Sequence, residues 1–265
     1  MMCASGSWLF LLIAGVFGLA IGSFVNVVIY RGPALWGLAE PGRPRGGLAT
    51  PGSFCPSCRA PIPPWGLIPL ASFAIQNGRC RKCGAQISLR YPIVEALGGL
   101  VAVASVAAFG LTPAALCAAI FLFTLIALAF IDYDTGYLPD ALTLPLIGAG
   151  LTANAFGLFA SLKDAAIGAA IGYAAFRVMG YAFKKLRDRE GLGQGDAKLI
   201  AAIGAWCGWT LLPATIFNAA AITLFAILIA GLRGAKIERN QEIPFGPGLC
   251  IAGAASIFIL RYAPF

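Results

Sequence analysis

The 265-residue chain contains no histidine. That absence removes Ser-His-Asp and Cys-His catalysis, histidine ligation of metals and histidine proton relays. Acid–base chemistry is left to carboxylates, lysine, tyrosine or cysteine. Charge is scarce as well. Only 11% of the residues are charged, against roughly 25% in soluble domains, so a water-soluble core is excluded as the main architecture. Acids are scarcer than bases, eleven against nineteen, and each one is worth locating: Glu40, Glu95, Asp132, Asp134, Asp140, Asp164, Asp188, Glu190, Asp196, Glu238 and Glu242. What is abundant is apolar sequence, 59% of the chain, which is a membrane composition.

A helix crosses the hydrocarbon core with about 20 mostly apolar residues. The pattern predicts an all-α polytopic membrane protein of about eight transmembrane helices. The first covers residues 8–29. It is too long for a signal-peptide core and lacks a charged segment before it, so it is read as a retained span. It carries Gly18 and Gly22 at the spacing that lets a second helix approach closely. The others are placed at 91–109, 113–131, 140–158, 163–183, 196–210, 213–232 and up to about residue 261. Three parts follow: the first helix (1–30), a polar loop (31–90) and a seven-helix membrane catalytic domain (91–265).

Charge sets the orientation. With the N-terminus outside, the three long polar loops hold 16 of the 19 basic residues and face the cytoplasm, as the positive-inside rule requires. The net charge of +8 has this origin, and no nucleic-acid partner is needed to explain it.

The first loop contains Cys55-Pro-Ser-Cys58 and Cys80-Arg-Lys-Cys83, separated by 21 residues. Two such knuckles predict a tetrahedral Cys₄ site for Zn²⁺, structural because four thiolates leave no open position. Disulfides are the rival pairing, but a cytoplasmic loop is kept reduced. Cys3, Cys117, Cys207 and Cys250 lie in or beside apolar runs and are read as small buried hydrophobes.

Carboxylates at a membrane boundary belong in a wet, protein-lined cavity. Asp132 closes the third helix and Asp196 opens the sixth, at the same face and at similar depth. When two carboxyl groups lie close together, one keeps a proton while the other serves as base toward water. The residues alone leave alternatives open. Asp196, in Gly193-Gln194-Gly195-Asp196, is equally placed to cap its helix. Asp132 competes with Asp134, because positions two apart point about 200° from each other. Gly193 and Gly195 are either loop glycines or a place where a substrate backbone approaches. Lys198 either tunes the carboxyl pair or meets lipid phosphate. Glu95 either makes a polar contact inside the protein or recognises the substrate. Asp140, after Pro139, is read as the cap of the fourth helix. Arg177 is read as a snorkelling side chain.

In this order the motifs resemble the type IV prepilin peptidases, the membrane aspartic proteases with a Gly-x-Gly-Asp motif. The resemblance runs through Gly22-Ser-Phe-x-Asn26 to Tyr30-Arg31, both cysteine knuckles, Arg90-Tyr91-Pro92-x-Val94-Glu95, Asp132-x-Asp134 with Leu138-Pro139-Asp140, Gly193-x-Gly195-Asp196-x-Lys198 and Pro244-Phe245-Gly246-Pro247. It implies that Asp132 and Asp196 are catalytic. It also implies removal of the short basic leader from prepilins or type II secretion pseudopilins at the cytoplasmic face of the bacterial inner membrane. The cysteine loop of the bifunctional members implies N-methylation with S-adenosylmethionine. Glu95, Asp134, Gly193, Gly195 and Lys198 are then candidate substrate-binding residues, with the basic loop against membrane lipid. Two rivals stand beside this reading. An ion-coupled transporter using the paired aspartates would show midplane acids and inverted repeats; here the acids lie at one face and no clear repeat is evident. A tethered binding module leaves the carboxylates unexplained.

Overall fold

The computed structural model describes residues 7–38, 47–187, 193–234 and 243–262. Cys3, Glu40, Asp188, Glu190, Gly191, Glu238 and Glu242 lie outside the described residues. Among the described residues the order is α1 (Ser7–Leu35), a 3-10 turn (Pro64–Leu67), α2 (Ala71–Ile75), α3 (Arg90–Phe109), α4 (Pro113–Thr135), α5 (Asp140–Ala155), α6 (Leu162–Arg187), α7 (Gln194–Cys207), α8 (Leu212–Leu232) and α9 (Gly246–Tyr262). Pairing of β type among them is limited to two isolated bridges. The protein is an all-helical, multi-pass membrane protein. Five helices are long and apolar enough to cross a bilayer: α1, α3, α4, α6 and α8. The remaining three long helices, α5, α7 and α9, have 16, 14 and 17 residues. The expected set of about eight is therefore five of full length and three shorter ones.

The chain forms two compact units, Met1–Ala127 and Leu128–Phe265. In the first, α1 and α3 pack with their backbones almost touching. A Cβ on Gly18 would lie 2.5 Å from the Gly98 carbonyl oxygen, and one on Gly22 would lie 2.9 Å from the Glu95 Cα. Asn26 Nδ2 donates across the same seam to the Tyr91 carbonyl at 3.0 Å. Helix α1 runs six residues past its expected end at 29. Arg31, which signals that end in the sequence, does not need water: its guanidinium donates to the carbonyls of Gly47, Pro51 and Gly52 and lies over the Phe54 ring.

The second unit is built around α7, in which every residue from Leu199 to Cys207 is buried. Two devices hold it. Asn154, at the end of α5, donates to the carbonyls of Ala205 and Trp206 and accepts from the N–H groups of Phe159 and Ala160, so one buried amide ties three segments together with all its groups in use. Trp206 Nε1 donates to the Leu146 carbonyl at 2.8 Å. On the α6 side Gly204 faces Gly168, and a Cβ at 204 would fall 2.4 Å from backbone atoms of Gly168. Backbone cannot swing aside as a side chain can, so Gly204→Ala should destabilise the unit by about 1–3 kcal/mol. A lowered thermal midpoint in detergent is the expected measurement. Helix α7 ends three residues before the expected 210, at Gly208, which leaves the helix at φ 77, ψ 172, a conformation open to glycine.

Candidate active site

Four thiols meet in the first unit. Cys55, Cys58, Cys80 and Cys83 are free, and their sulfurs all lie within 4.8 Å of one another. A zinc tetrahedron with bonds of about 2.3 Å spaces its sulfurs about 3.8 Å apart, and Cys55 Sγ and Cys83 Sγ are 3.9 Å apart. The cluster fits the ion. Two matching turns build it: Cys55 N–H donates to the Ala60 carbonyl and Cys80 N–H to the Ala85 carbonyl. The residue after each second cysteine, Arg59 or Gly84, is left-handed, at φ 56 and 71. This repeat is visible in the sequence as Cys-x-x-Cys-x-Ala-x-Ile, at 55–62 and 80–87. N–H groups of Cys83 and Lys82 hold the Cys80 thiol down at about 6. At Cys83 the Ala85 N–H favours the thiolate, but desolvation and the neighbouring sulfurs outweigh it and push the thiol up to about 11. Sulfurs this close do not all shed their protons without a cation between them.

In the second unit, Asp132 sits in the last turn of α4 and is 5% exposed. Its Oδ2 accepts the Gly246 N–H, the first of α9, at 3.0 Å. The end of α4 presents carbonyls, so a carboxylate there gains from the donor that another helix start brings. Asp196 is the third residue of α7 and accepts the N–H of Gly193, the residue at the N-cap. That is the reciprocal half of a capping box. The structural and chemical readings of Asp196 therefore coexist in one side chain. Asp132 and Asp196 lie within electrostatic reach of each other, and both reach the buried Cys250. The chemical capacity of the arrangement is a carboxyl pair, each member oriented by a backbone donor.

Other expected site residues fall variously. Asp134, two positions past buried Asp132, is exposed, as the helical spacing requires. Lys198 forms an ion pair with Asp140. This corrects the reading of Asp140 as a cap: Pro139 takes the N-cap position and Asp140 is the first helical residue, turned to Lys198. A Cβ on Gly195 would meet Leu138 Cβ at 2.8 Å, and one on Gly193 would meet Asp196 Oδ2 at 3.3 Å. One side chain of the chain itself thus lies close against each of these two glycines. Glu95 belongs to the first unit, is buried, and accepts the Leu70 N–H at 2.9 Å. The residue that sequence reasoning left without a role is Gly246. Its signal was present in Pro244-Phe245-Gly246-Pro247, a helix start flanked by prolines. A Cβ there would fall 2.5 Å from Asp132 Oδ2. Gly246→Ala should displace that carboxyl group and lower turnover by about 10²-fold, the scale set by small misplacements of reacting groups. An unchanged KM and thermal midpoint would separate this from misfolding.

Fold and site define a class, that of multi-pass membrane proteins carrying two aspartates within electrostatic reach of each other and, in the other unit, a Cys₄ knuckle module. Comparison with known proteins gives the family. Residues 16–109 match the bacterial peptidase A24 N-terminal domain and residues 119–229 match the type IV leader peptidase family. Proteins named prepilin leader peptidase/N-methyltransferase align over most of the chain. That of Burkholderia pseudomallei is 42% identical, covering 92% of this chain and 83% of its own. That of Pseudomonas aeruginosa is 41% identical, covering 94% and 90%, and that of Neisseria gonorrhoeae is 38% identical, covering 91% and 87%. The chain belongs to the type IV leader peptidase family. No solved structure matches it.

Proposed function

We propose that this protein is a prepilin leader peptidase and N-methyltransferase of the bacterial inner membrane. It cuts the short basic leader from type IV prepilins or type II secretion pseudopilins at the cytoplasmic face, and then methylates the new amino terminus with S-adenosylmethionine. The observation that carries the peptidase reading is the pair Asp132 and Asp196, each fixed by one backbone N–H and within reach of the other. One carboxylate takes a proton from water as the oxygen attacks the scissile carbonyl. The other carboxyl group gives its proton to the developing oxygen, and collapse of the tetrahedral intermediate passes a proton to the leaving nitrogen. Asp134 receives the basic leader, Gly193, Gly195 and Lys198 line its path, and the basic loop residues meet anionic headgroups. Zinc in the Cys₄ cluster is structural. S-Adenosylmethionine supplies an electrophilic methyl group, and no described residue is assigned to hold it.

The test is a purified prepilin incubated with the protein in detergent, with and without S-adenosylmethionine, and the product read by mass. Leader loss, followed by gain of one methyl group only when the donor is added, is the expected result. An intact prepilin overturns the peptidase reading, and a cleaved but unmethylated one overturns the second activity alone.

A further inference from the structure

One stretch of the cysteine loop does not behave as a solvated loop. Residues 61–75, Pro-Ile-Pro-Pro-Trp-Gly-Leu-Ile-Pro-Leu-Ala-Ser-Phe-Ala-Ile, contain no charged side chain, although Arg59 precedes them and Arg79, Arg81 and Lys82 follow. The stretch forms the 3-10 turn and α2, and neither element buries a residue. Trp65, Leu67, Ile68 and Ile75 are 63%, 40%, 53% and 70% exposed. Water is a poor surrounding for four large apolar side chains on so short a segment.

Their depth is fixed by a hydrogen bond. Helix α3 has 20 residues, and at 1.5 Å per residue it spans about 30 Å, the thickness of the hydrocarbon core. Its whole length is needed to cross, so Arg90 lies at one boundary and Glu95 lies about 7 Å along the helix from it. The Leu70 N–H donates to Glu95 Oε2 at 2.9 Å. This contact brings the centre of the uncharged stretch down to the level of the membrane boundary. Leu70 holds φ 58, ψ −47, a conformation a leucine does not adopt unless its surroundings impose it. Leu89, at the N-cap of α3, and Ile93, in its first turn, are exposed as well.

We propose that residues 61–75 are a membrane-interface wedge, with Trp65, Leu67, Ile68 and Ile75 seated at the boundary between headgroups and acyl chains of the leaflet that meets the start of α3. The occupant of this surface is lipid. The stretch is continuous with a membrane-spanning helix, an indole is suited to the headgroup level, and flanking Arg79, Arg81 and Lys82 match anionic headgroups. The wedge gives the zinc module a second attachment beside Arg31, and so a fixed height above the bilayer.

Full-length protein in nanodiscs of phosphatidylcholine and phosphatidylglycerol tests this through tryptophan emission, with Trp65→Phe as the reference that isolates the Trp65 signal. Trp65 should be quenched by lipids brominated near the carbonyl end of the acyl chain, less by lipids brominated near the terminal methyl, and shielded from aqueous acrylamide. Glu95→Ala, which releases Leu70, should lose much of the bromolipid quenching, while Glu95→Gln, which keeps an acceptor, should retain it. Trp65 open to acrylamide and indifferent to bromolipid overturns the proposal. So does shielding that arises only when a prepilin is added, since the surface would then be a docking site for substrate.

Discussion

Asp132→Asn and Asp196→Asn should each lower leader cleavage by about 10³-fold or more, the upper part of the range for positioned acid–base groups. Asparagine is nearly isosteric, and its side-chain oxygen still accepts the N–H of Gly246 or of Gly193, so the local hydrogen bonds survive. What it cannot do is gain or lose a proton. Since the two groups act as a unit, the double variant should be no slower than either single one. Single-turnover rates on a prepilin, with KM and thermal midpoint measured alongside, check this. Cleavage retained by either single variant would remove that aspartate from the mechanism, and a loss that tracks a fall in melting temperature would assign it a structural role.

The second large effect concerns the cysteine module. Among described residues 47–89 the only buried side chain is Cys55, so this segment has no apolar core of its own. Its order rests on the metal, on Arg31 and on the Glu95 contact. Structural zinc in small modules contributes about 10–16 kcal/mol of apparent binding energy that is also folding energy. Cys55→Ser or Cys80→Ser, or a strong chelator, should therefore abolish zinc content and open residues 47–89 to proteolysis. The helices of the second unit should remain resistant. Metal analysis with limited proteolysis checks both halves. Methylation should fall further than cleavage; equal loss of the two activities would show that the module serves the peptidase step as well.

Much of this was legible in the sequence, for physical reasons. Long apolar runs have few alternatives in a membrane, so eight long helices were placed with most ends within a few residues. Two Cys-x-x-Cys knuckles have few partners other than each other and a metal. Depth and scarcity singled out Asp132, Asp134 and Asp196, because few other groups in a chain without histidine can exchange protons at that level; the choice of Asp132 and Asp196 as the pair came from the resemblance to the prepilin peptidases. What could not be read were partners supplied by distant segments. The polarity of Arg31 marked a helix end until three loop carbonyls satisfied it. Asp140 looked like a cap until Lys198, 58 positions away, claimed its carboxylate. Gly246 carried no chemistry in its side chain, and its N–H gained a role only when α9 brought it to Asp132.

The enclosure of α7 has a consequence for how the protein lives with its lipids. Bilayers differ in thickness, and spanning helices answer by tilting or by deforming the lipid around them. Helices α1, α6 and α8 present mostly exposed surface and must answer directly, since only 17%, 17% and 11% of their spans is buried within the protein. Helix α7 touches protein along most of its length, and it is too short to sense both boundaries at once. Helix α7, which carries Asp196, therefore meets the bilayer chiefly through the helices packed around it rather than through its own surface.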